Sequence, residues 1–215
     1  CDIVVPVITY IYAVARMTMN SLSIRDKLIF KQVRTFSARE LGGLLSLSSR
    51  QTLYYLKKGV TDGLFIKVKR GSYYLKTDPP TELEIANQLC RPSYVSFEYA
   101  LAFYNLLPEM VYTITSATTK STRQYSTDTR SFQYTSIKTQ AFTGYTLKIE
   151  ENHRFLIADP EKAVVDYLYL VSLGRRALSE RLDLSIVKIN KIKFYARLFA
   201  SKSLDALITK LFKHA

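Results

Sequence analysis

One short stretch of the chain, SSRQTLYYLKKG at residues 48–59, gathers many hydrogen-bonding side chains into what its spacing predicts to be a single helix. At 100° per residue, Leu53, Leu56 and Val60 fall on one side of this helix and form its predicted core stripe. The side chains that oppose or flank this stripe are Arg50, Gln51, Tyr54, Tyr55, Lys57 and Lys58. An ordinary amphipathic helix carries plainly charged residues there instead.

Three of these side chains match the chemistry of base edges in the major groove of DNA. Arginine can hydrogen-bond guanine through two bonds, and glutamine can do the same with adenine. Tyrosine can stack against a sugar or a thymine methyl group, or reach a phosphate with its hydroxyl. We therefore predict that Arg50, Gln51 and Tyr55 read bases.

A second set of residues is predicted to position the phosphate backbone. Backbone N–H groups at the start of a helix attract phosphate. The following segment, GLFIKVKRGSYYL at 63–75, predicts a hairpin whose basic turn ends at Gly71, which tolerates positive φ. A wing of this charge commonly lies along the backbone or enters the minor groove. The predicted backbone contacts are Ser48, Ser49, Tyr54, Lys58, Lys67, Lys69 and Arg70.

The elements that must hold these residues form a helix, helix, helix and hairpin series. Residues 21–33 have helical apolar spacing, and Ser37 with Glu40 makes a capping-box pattern before a second helix at 37–45. This order predicts a winged helix-turn-helix over residues 19–80. Residues 1–18, which precede it, are an apolar stretch that we treat as an upstream extension of uncertain role.

Charge is distributed unevenly across the two prolines of KTDPPTELE at 76–84, where we predict a domain boundary. The chain has 31 Lys and Arg against 18 Asp and Glu, a net charge of +13. Residues 1–80 hold 13 basic and 5 acidic residues, a net charge of +8, and the remaining residues carry +5. Such an excess favours a polyanionic partner, unless the protein is merely basic.

Residues 81–215 predict a second, mixed α+β domain with a small antiparallel sheet and a helical C-terminal tail from residue 175. Strands are predicted at 111–116, 131–137 and 142–149, and the stretch at 155–170 is predicted to be a strand that leads into a helix. Ser96 is the predicted N-cap of one helix, and Asp159 with Pro160 marks the start of another. The basic residues of this domain are either solvated charge or an extension of the basic surface.

Three runs in the second half of the chain are similar to one known family. They are RPSYVSFEYALAFYNLLPEMVYTITSATTKSTRQY from residue 91, SFQYTSIKTQAFTGY from residue 131 and IADPEKAVVDYLYL from residue 157. The sequence resembles the AbiEi-type antitoxins and related transcriptional regulators over roughly residues 20–170. The most specific pieces are Y-x-S-x-E-x-A-L at 94–101 and A-x-PEKA-x-x-D at 158–166.

The resemblance implies a function as an antitoxin of a type IV toxin–antitoxin pair. Members of the family repress their own operon by binding inverted repeats in double-stranded DNA through the winged helix. Their toxin is a nucleotidyltransferase-like protein, which they need not bind directly. We therefore expect a cytoplasmic DNA-binding repressor, monomeric or homodimeric, that binds no membrane and is not an enzyme.

Two other functions remain open from the residues. The tyrosine-rich surface could belong to a protein-interaction module that neutralises the toxin by direct contact. A nucleic-acid-processing enzyme is suggested by DPEK at 159–162, but the helical spacing sends Glu161 and Lys162 to different sides. The acidic residues that distant parts of the fold could bring together are Glu82, Glu98 and Asp128.

Metal or cofactor binding is not predicted. Cys1 and Cys90 lie far apart, and His153 and His214 are isolated, so no zinc-ligand spacing is present. The sequence also has no Gly-rich phosphate loop and no Ser–His–Asp constellation. We expect no metal, no cofactor and no disulfide framework.

Overall fold

A computed structural model describes residues 19–109, 111–127 and 130–212. These residues form eight α-helices and two β-sheets, which confirms the mixed α+β class. The chain divides into two compact units between Pro79 and Pro80. The extension at 1–18, Cys1, Asp128 and His214 lie outside the described residues.

The first unit contains three helices and a three-stranded antiparallel sheet. The helices are α1 (Ser21–Phe30), α2 (Ala38–Leu45) and α3 (Ser49–Thr61). The strands are β1 (Thr35–Phe36), β2 (Phe65–Lys69) and β3 (Ser72–Leu75), in the order β1-β3-β2. The predicted capping box of Ser37 and Glu40 is present at the start of α2. The two-residue strand β1 was not predicted, because two residues are too few for a periodicity.

The core of this unit is apolar and draws on every element. Phe36 of β1 meets Phe65 of β2 edge to face, with ring centroids 5.0 Å apart. The buried members of this core are Ile24, Leu28, Phe36, Leu41, Leu45, Leu56, Phe65 and Leu75. Helix α3 is therefore anchored to both the other helices and the sheet.

The second unit is built on a six-stranded sheet. Its strands are β4 (Ser93–Val95), β5 (Thr113–Thr118), β6 (Arg123–Ser126), β7 (Ser131–Ser136), β8 (Tyr145–Glu150) and β9 (His153–Ala158), in the order β6-β7-β5-β4-β9-β8. Its helices are α4 (Glu82–Leu89), α5 (Phe97–Phe103), α6 (Pro160–Ser172), α7 (Ile189–Phe199) and α8 (Lys202–Leu211), with a 3₁₀ turn at Thr139–Ala141.

The prediction of a small antiparallel sheet was wrong. The sheet is mixed, because β5 pairs parallel with β7 and β4 pairs parallel with β9. Two strands were missed: β4 has only three residues directly after Pro92, and β6 has the polar sequence RQYS, which reads as a connection. Without β6, the strands β5 and β7 appear consecutive in the chain, and without β4, the strand β9 has no parallel partner.

The helical tail is confirmed in α7 and α8, but it begins later than predicted. Residues 173–188 form turns and irregular structure, and the first tail helix starts at Ile189. In the part of the chain that the structure describes, no helix has both the length and the apolar character needed to cross a membrane.

Candidate nucleic-acid interface

Helix α3 begins with reciprocal hydrogen bonds between Ser48 and Gln51. The Ser48 hydroxyl accepts from the Gln51 backbone N–H at 3.3 Å, and the Gln51 Oε1 accepts from the Ser48 backbone N–H at 3.0 Å. This capping box satisfies two backbone donors and stabilises the first turn. It also engages the acceptor oxygen that Gln51 would need for a two-bond contact with adenine.

The buried face of α3 is not the predicted stripe. Leu56 is a core residue, but Leu53 and Val60 are exposed. The inward positions are instead Thr52, Leu56 and Gly59. The predicted core assignment of Leu53 and Val60 was therefore wrong, and the outward face is wider and more apolar than expected.

Close packing by glycine explains the orientation of α3. Gly59 lies directly against the ring of Phe65 in β2. On the other side, a Cβ added to Gly42 of α2 would lie 2.8 Å from the Thr52 hydroxyl. Because small residues face the neighbouring elements, α3 approaches them closely and its larger apolar residues turn outward. The pair of small residues at Gly42 and Gly59 is the sequence signal that could have revealed this face.

The outward face of α3 combines basic, aromatic and aliphatic side chains. Arg50, Leu53, Tyr54 and Lys57 follow the i, i+3, i+4, i+7 spacing of one helix face, and all four are exposed. Leu53 is 62% exposed and Tyr54 is 60% exposed. Lys58 lies beside them, and the helix contains no acidic residue. Periodicity places Leu53 in the core, and Lys57 is not among the predicted contacts.

The two adjacent tyrosines differ in environment. Tyr54 projects from the unit, whereas Tyr55 is half-buried and packs against the hydrophobic core. Their rings meet edge to face with centroids 5.2 Å apart. Tyr55 therefore supports Tyr54 from behind, and less of its own ring is accessible.

The predicted basic hairpin is formed by β2 and β3. Gly71 has φ of +80°, as the tight turn requires. The pairing shifts between Lys67 and Lys69, so a bulge lies at Val68 next to the turn. Lys67 and Arg70 are exposed and Lys69 is half-buried. The hairpin thus presents basic side chains at its tip.

A groove of about 550 Å³ separates α2 from the start of α3. Its lining includes Arg39, Gly43, Ser49 and Leu53. Ser49 is the first residue of α3 and is exposed, so the helix N-terminus opens at this groove. Arg39 adds a positive charge on the opposite wall.

In the second unit, polar residues of the two motifs at 94–101 and 158–166 point inward rather than outward. Lys162 and Asp166 of α6 form a fully buried ion pair. Asp166 also accepts from the Tyr94 hydroxyl at 3.0 Å and from the Ser96 hydroxyl at 2.7 Å. The Ser96 side chain therefore does not cap α5, although Ser96 occupies the N-cap position.

Burial controls the titration of this cluster. Burial lowers the pKa of Lys162, and the nearby Asp166 carboxylate only partly opposes this effect. Burial raises the pKa of Asp166 against the opposing influence of Lys162, Ser96 and Tyr94. Burial and Asp166 together raise the pKa of Tyr94 well above its ordinary value. The cluster is closed to solvent and satisfies its own hydrogen bonds.

Glu82 and Glu98, two of the acidic residues considered for catalysis, each form an ion pair with a different arginine. Glu82 accepts from Arg130 at 2.7 Å, and Glu98 accepts from Arg176 at 2.8 Å. Over residues 19–109, 111–127 and 130–212, no three His, Cys, Asp or Glu side chains come together as a metal site. In this second unit, Arg130 is therefore tied to an acid rather than offered to a phosphate.

No protein-family model matches this sequence, and no curated protein matches it.

Proposed function

We propose that the chain is a sequence-specific DNA-binding repressor whose first unit is a winged helix-turn-helix. Helix α3 serves as the recognition helix, and the β2–β3 hairpin serves as the wing. The observation that carries the proposal is the outward face of α3, where Arg50, Leu53, Tyr54 and Lys57 are exposed on one side of a helix whose sequence contains no acidic residue.

The contacts follow from what each exposed group can bind. Arg50 donates to guanine O6 and N7, and Leu53 packs on a thymine methyl group. Tyr54 and Lys57 contact sugar and phosphate. Gln51 keeps its capping role and donates to a base edge through its remaining amide N–H groups.

Two sites near the recognition helix are assigned to contact the DNA phosphates. The exposed N-terminus of α3 at Ser49 lies at the groove between α2 and α3, next to Arg39. Lys67 and Arg70 of the wing neutralise a second stretch of backbone. These contacts fix the register of α3 without reading sequence themselves.

The biological role we propose is that of an antitoxin in a type IV toxin–antitoxin operon that represses its own promoter. This rests on the sequence resemblance to AbiEi-type antitoxins. Its toxin would be a nucleotidyltransferase-like protein encoded beside it. Inverted repeats in the promoter would accommodate two copies of the first unit.

Fluorescence anisotropy tests the proposal directly. The probe is the duplex just upstream of this protein's own gene, and the control is a scrambled duplex of equal length and composition. We expect tight and selective binding that weakens about 10³-fold or more between 50 and 200 mM salt, because several phosphates lose condensed counterions. Equal, weak binding to both duplexes would contradict the proposal.

The salt dependence of binding also distinguishes DNA binding from the competing function. The exposed Leu53 and Tyr54 would also suit a protein interface, in which case the nucleotidyltransferase-like toxin would be the partner. Binding to that toxin would change little with salt, because a mostly apolar contact releases few ions. Salt-insensitive toxin binding with no selective DNA binding would favour the interaction module.

A further inference from the structure

Helix α7 of the second unit exposes a basic and aromatic side, which we call the outer face of α7. The residues of this face are Asn190, Lys193, Phe194 and Arg197, and all four are exposed. They follow the i, i+3, i+4, i+7 spacing of one helix side, and the buried residues of α7 lie on the other side. The Phe194 side chain is 58% exposed, although phenylalanine is among the residues most often buried.

The two cations of this face have no partner within the protein. Among the residues that the structure describes, neither the Lys193 nor the Arg197 side chain forms an ion pair or a hydrogen bond. Lys191 differs from them, because its ammonium group lies 3.6 Å from the Glu161 carboxylate. At 100° per residue, Lys191 lies nearly opposite Lys193 on the helix. The acid beside α7 is therefore engaged on the other side of the helix, and the outer face is available to an anionic partner.

The charge around α7 has the same sign. The helix sequence INKIKFYARLF contains three basic residues and no acid. At its C-terminal end, the exposed Lys138 donates to the carbonyl oxygens of Phe199 and Ala200. From residue 185 to the end, the chain has seven Lys and Arg against one acid, Asp205. This excess attracts a polyanion to the tail.

The exposed ring of Phe194 is held in place from behind. It meets the ring of Tyr195 edge to face, with centroids 5.4 Å apart. Tyr195 is itself fixed, because its hydroxyl donates to Asp159 at 3.1 Å and its ring packs against Gly144. A ring that is already positioned loses little conformational freedom when a second planar group stacks on it.

The combination of a phenyl ring and unpaired cations favours a single-stranded nucleic acid. Tyr54 on α3 has a hydroxyl that can reach a phosphate, but Phe194 has none, so its ring can contribute only by apolar contact or stacking. Bases inside a duplex are covered by their neighbours, whereas unpaired bases in RNA loops and ends stack on aromatic side chains. A membrane surface requires a broad apolar side, and Phe194 is the only apolar member of the outer face.

We propose that the outer face of α7 binds single-stranded RNA. An unpaired base stacks on Phe194, and Lys193 and Arg197 neutralise neighbouring phosphates of the same strand. The Asn190 amide has both donors and an acceptor, which suit a base edge or a ribose hydroxyl. This surface belongs to the second unit, and the proposal does not depend on DNA binding by α3.

Fluorescence anisotropy of the full chain with a labelled oligouridine tests the proposal, and an RNA duplex of the same length is the comparison. We expect tighter binding to the single strand. Phe194→Leu keeps an apolar side chain but removes the ring, so it should weaken oligouridine binding about 5- to 100-fold. Phe194→Trp keeps an aromatic ring and should retain binding.

Two matched controls accompany these variants. Phe30→Leu makes the same change at a phenylalanine of α1 that is 86% exposed, and it should leave oligouridine binding unchanged. Lys193→Gln should flatten the slope of log K against log salt by about 0.7, because one fewer counterion is released from a single strand. Lys191→Gln should leave the slope unchanged, because Lys191 is already paired with Glu161.

The outcomes separate this proposal from DNA binding by α3. Phe194→Leu should bind the promoter duplex as the wild type does, and Arg50→Ala should bind oligouridine as the wild type does. Oligouridine binding that is lost only in Phe194→Leu would support the RNA site even if the promoter duplex is not bound. Oligouridine binding that falls with Arg50→Ala but not with Phe194→Leu would overturn the proposal, as would equal binding of the RNA single strand and duplex.

Discussion

The two units use polar side chains in opposite ways. In the first unit, the polar and basic residues that stand out in the sequence lie on the outer face of α3, where Arg50, Tyr54 and Lys57 meet solvent. In the second unit, the equally conspicuous Lys162 and Asp166 are fully buried and bonded to each other. Polar and charged residues thus lie on the surface of the first unit and in the core of the second.

This contrast separates two kinds of sequence motif. A buried ion pair costs desolvation energy and is tolerated only when hydrogen bonds complete its coordination, as Tyr94 and Ser96 do for Asp166. Its removal should affect stability. Exposed groups on α3 contribute little to stability, so their removal should affect binding.

Replacing Lys162 with methionine should give the largest effect. Lys162→Met keeps most of the side-chain volume but leaves Asp166 buried without its cation. We expect the free energy of unfolding to fall by about 3–5 kcal/mol, as when one partner of a buried pair is lost. Urea denaturation measures this loss.

The matched control for this change lies on the outer side of α7. Lys193→Met removes an exposed lysine from the same unit and should change the free energy of unfolding by less than about 0.5 kcal/mol. Equal losses in the two variants would show that burial of the Lys162–Asp166 pair does not distinguish the two lysines.

Two leucines of α3 provide a comparison within one helix. Leu56→Ala should destabilise the first unit by about 2–5 kcal/mol, because it opens a cavity in the core. Leu53→Ala removes the same atoms from an exposed position and should cost less than about 0.5 kcal/mol. Thermal unfolding measures the stabilities of both variants. Leu53→Ala should remain folded and should bind DNA more weakly than the wild type in anisotropy titrations. The reverse ranking of stability would contradict the orientation of α3.

The sequence predicted most elements of the first unit because their signals are local. The capping box at Ser37 and the turn at Gly71 each depend on a few neighbouring residues. The face of α3 depends instead on how closely Gly42 and Gly59 let other elements approach. Periodicity alone places Leu53 inside, since it does not register those contacts.

The second unit was harder to predict for a related reason. The parallel pairing of β4 with β9 joins strands far apart in the chain, and β4 and β6 are too short or too polar to show alternation. The buried cluster was missed because Tyr94 and Ser96 lie about 70 residues from their partner Asp166. Long-range pairing of polar groups leaves no local pattern.

Arg50→Ala tests base reading on the exposed face. We expect a loss of about 1–3 kcal/mol in binding free energy on the preferred duplex and a smaller loss on the scrambled one, because a guanine contact contributes only where the base is correct. Anisotropy titrations with both duplexes measure the two losses. Arg25→Ala, on α1, is the matched control and should leave both affinities unchanged. Identical losses of Arg50→Ala on both duplexes would reassign Arg50 to phosphate contact.

Lys67→Ala should have the smallest effect and a different signature. A single phosphate contact contributes a modest binding free energy that does not depend on the DNA sequence. The affinity for both duplexes should therefore fall by the same factor. The slope of log K against log salt should flatten by about one, because one fewer counterion is released. Lys76→Ala removes an exposed lysine just beyond β3 and should leave the slope unchanged. An unchanged slope for Lys67→Ala would contradict a phosphate contact by Lys67 and would leave Arg70 as the proposed phosphate contact of the β2–β3 hairpin.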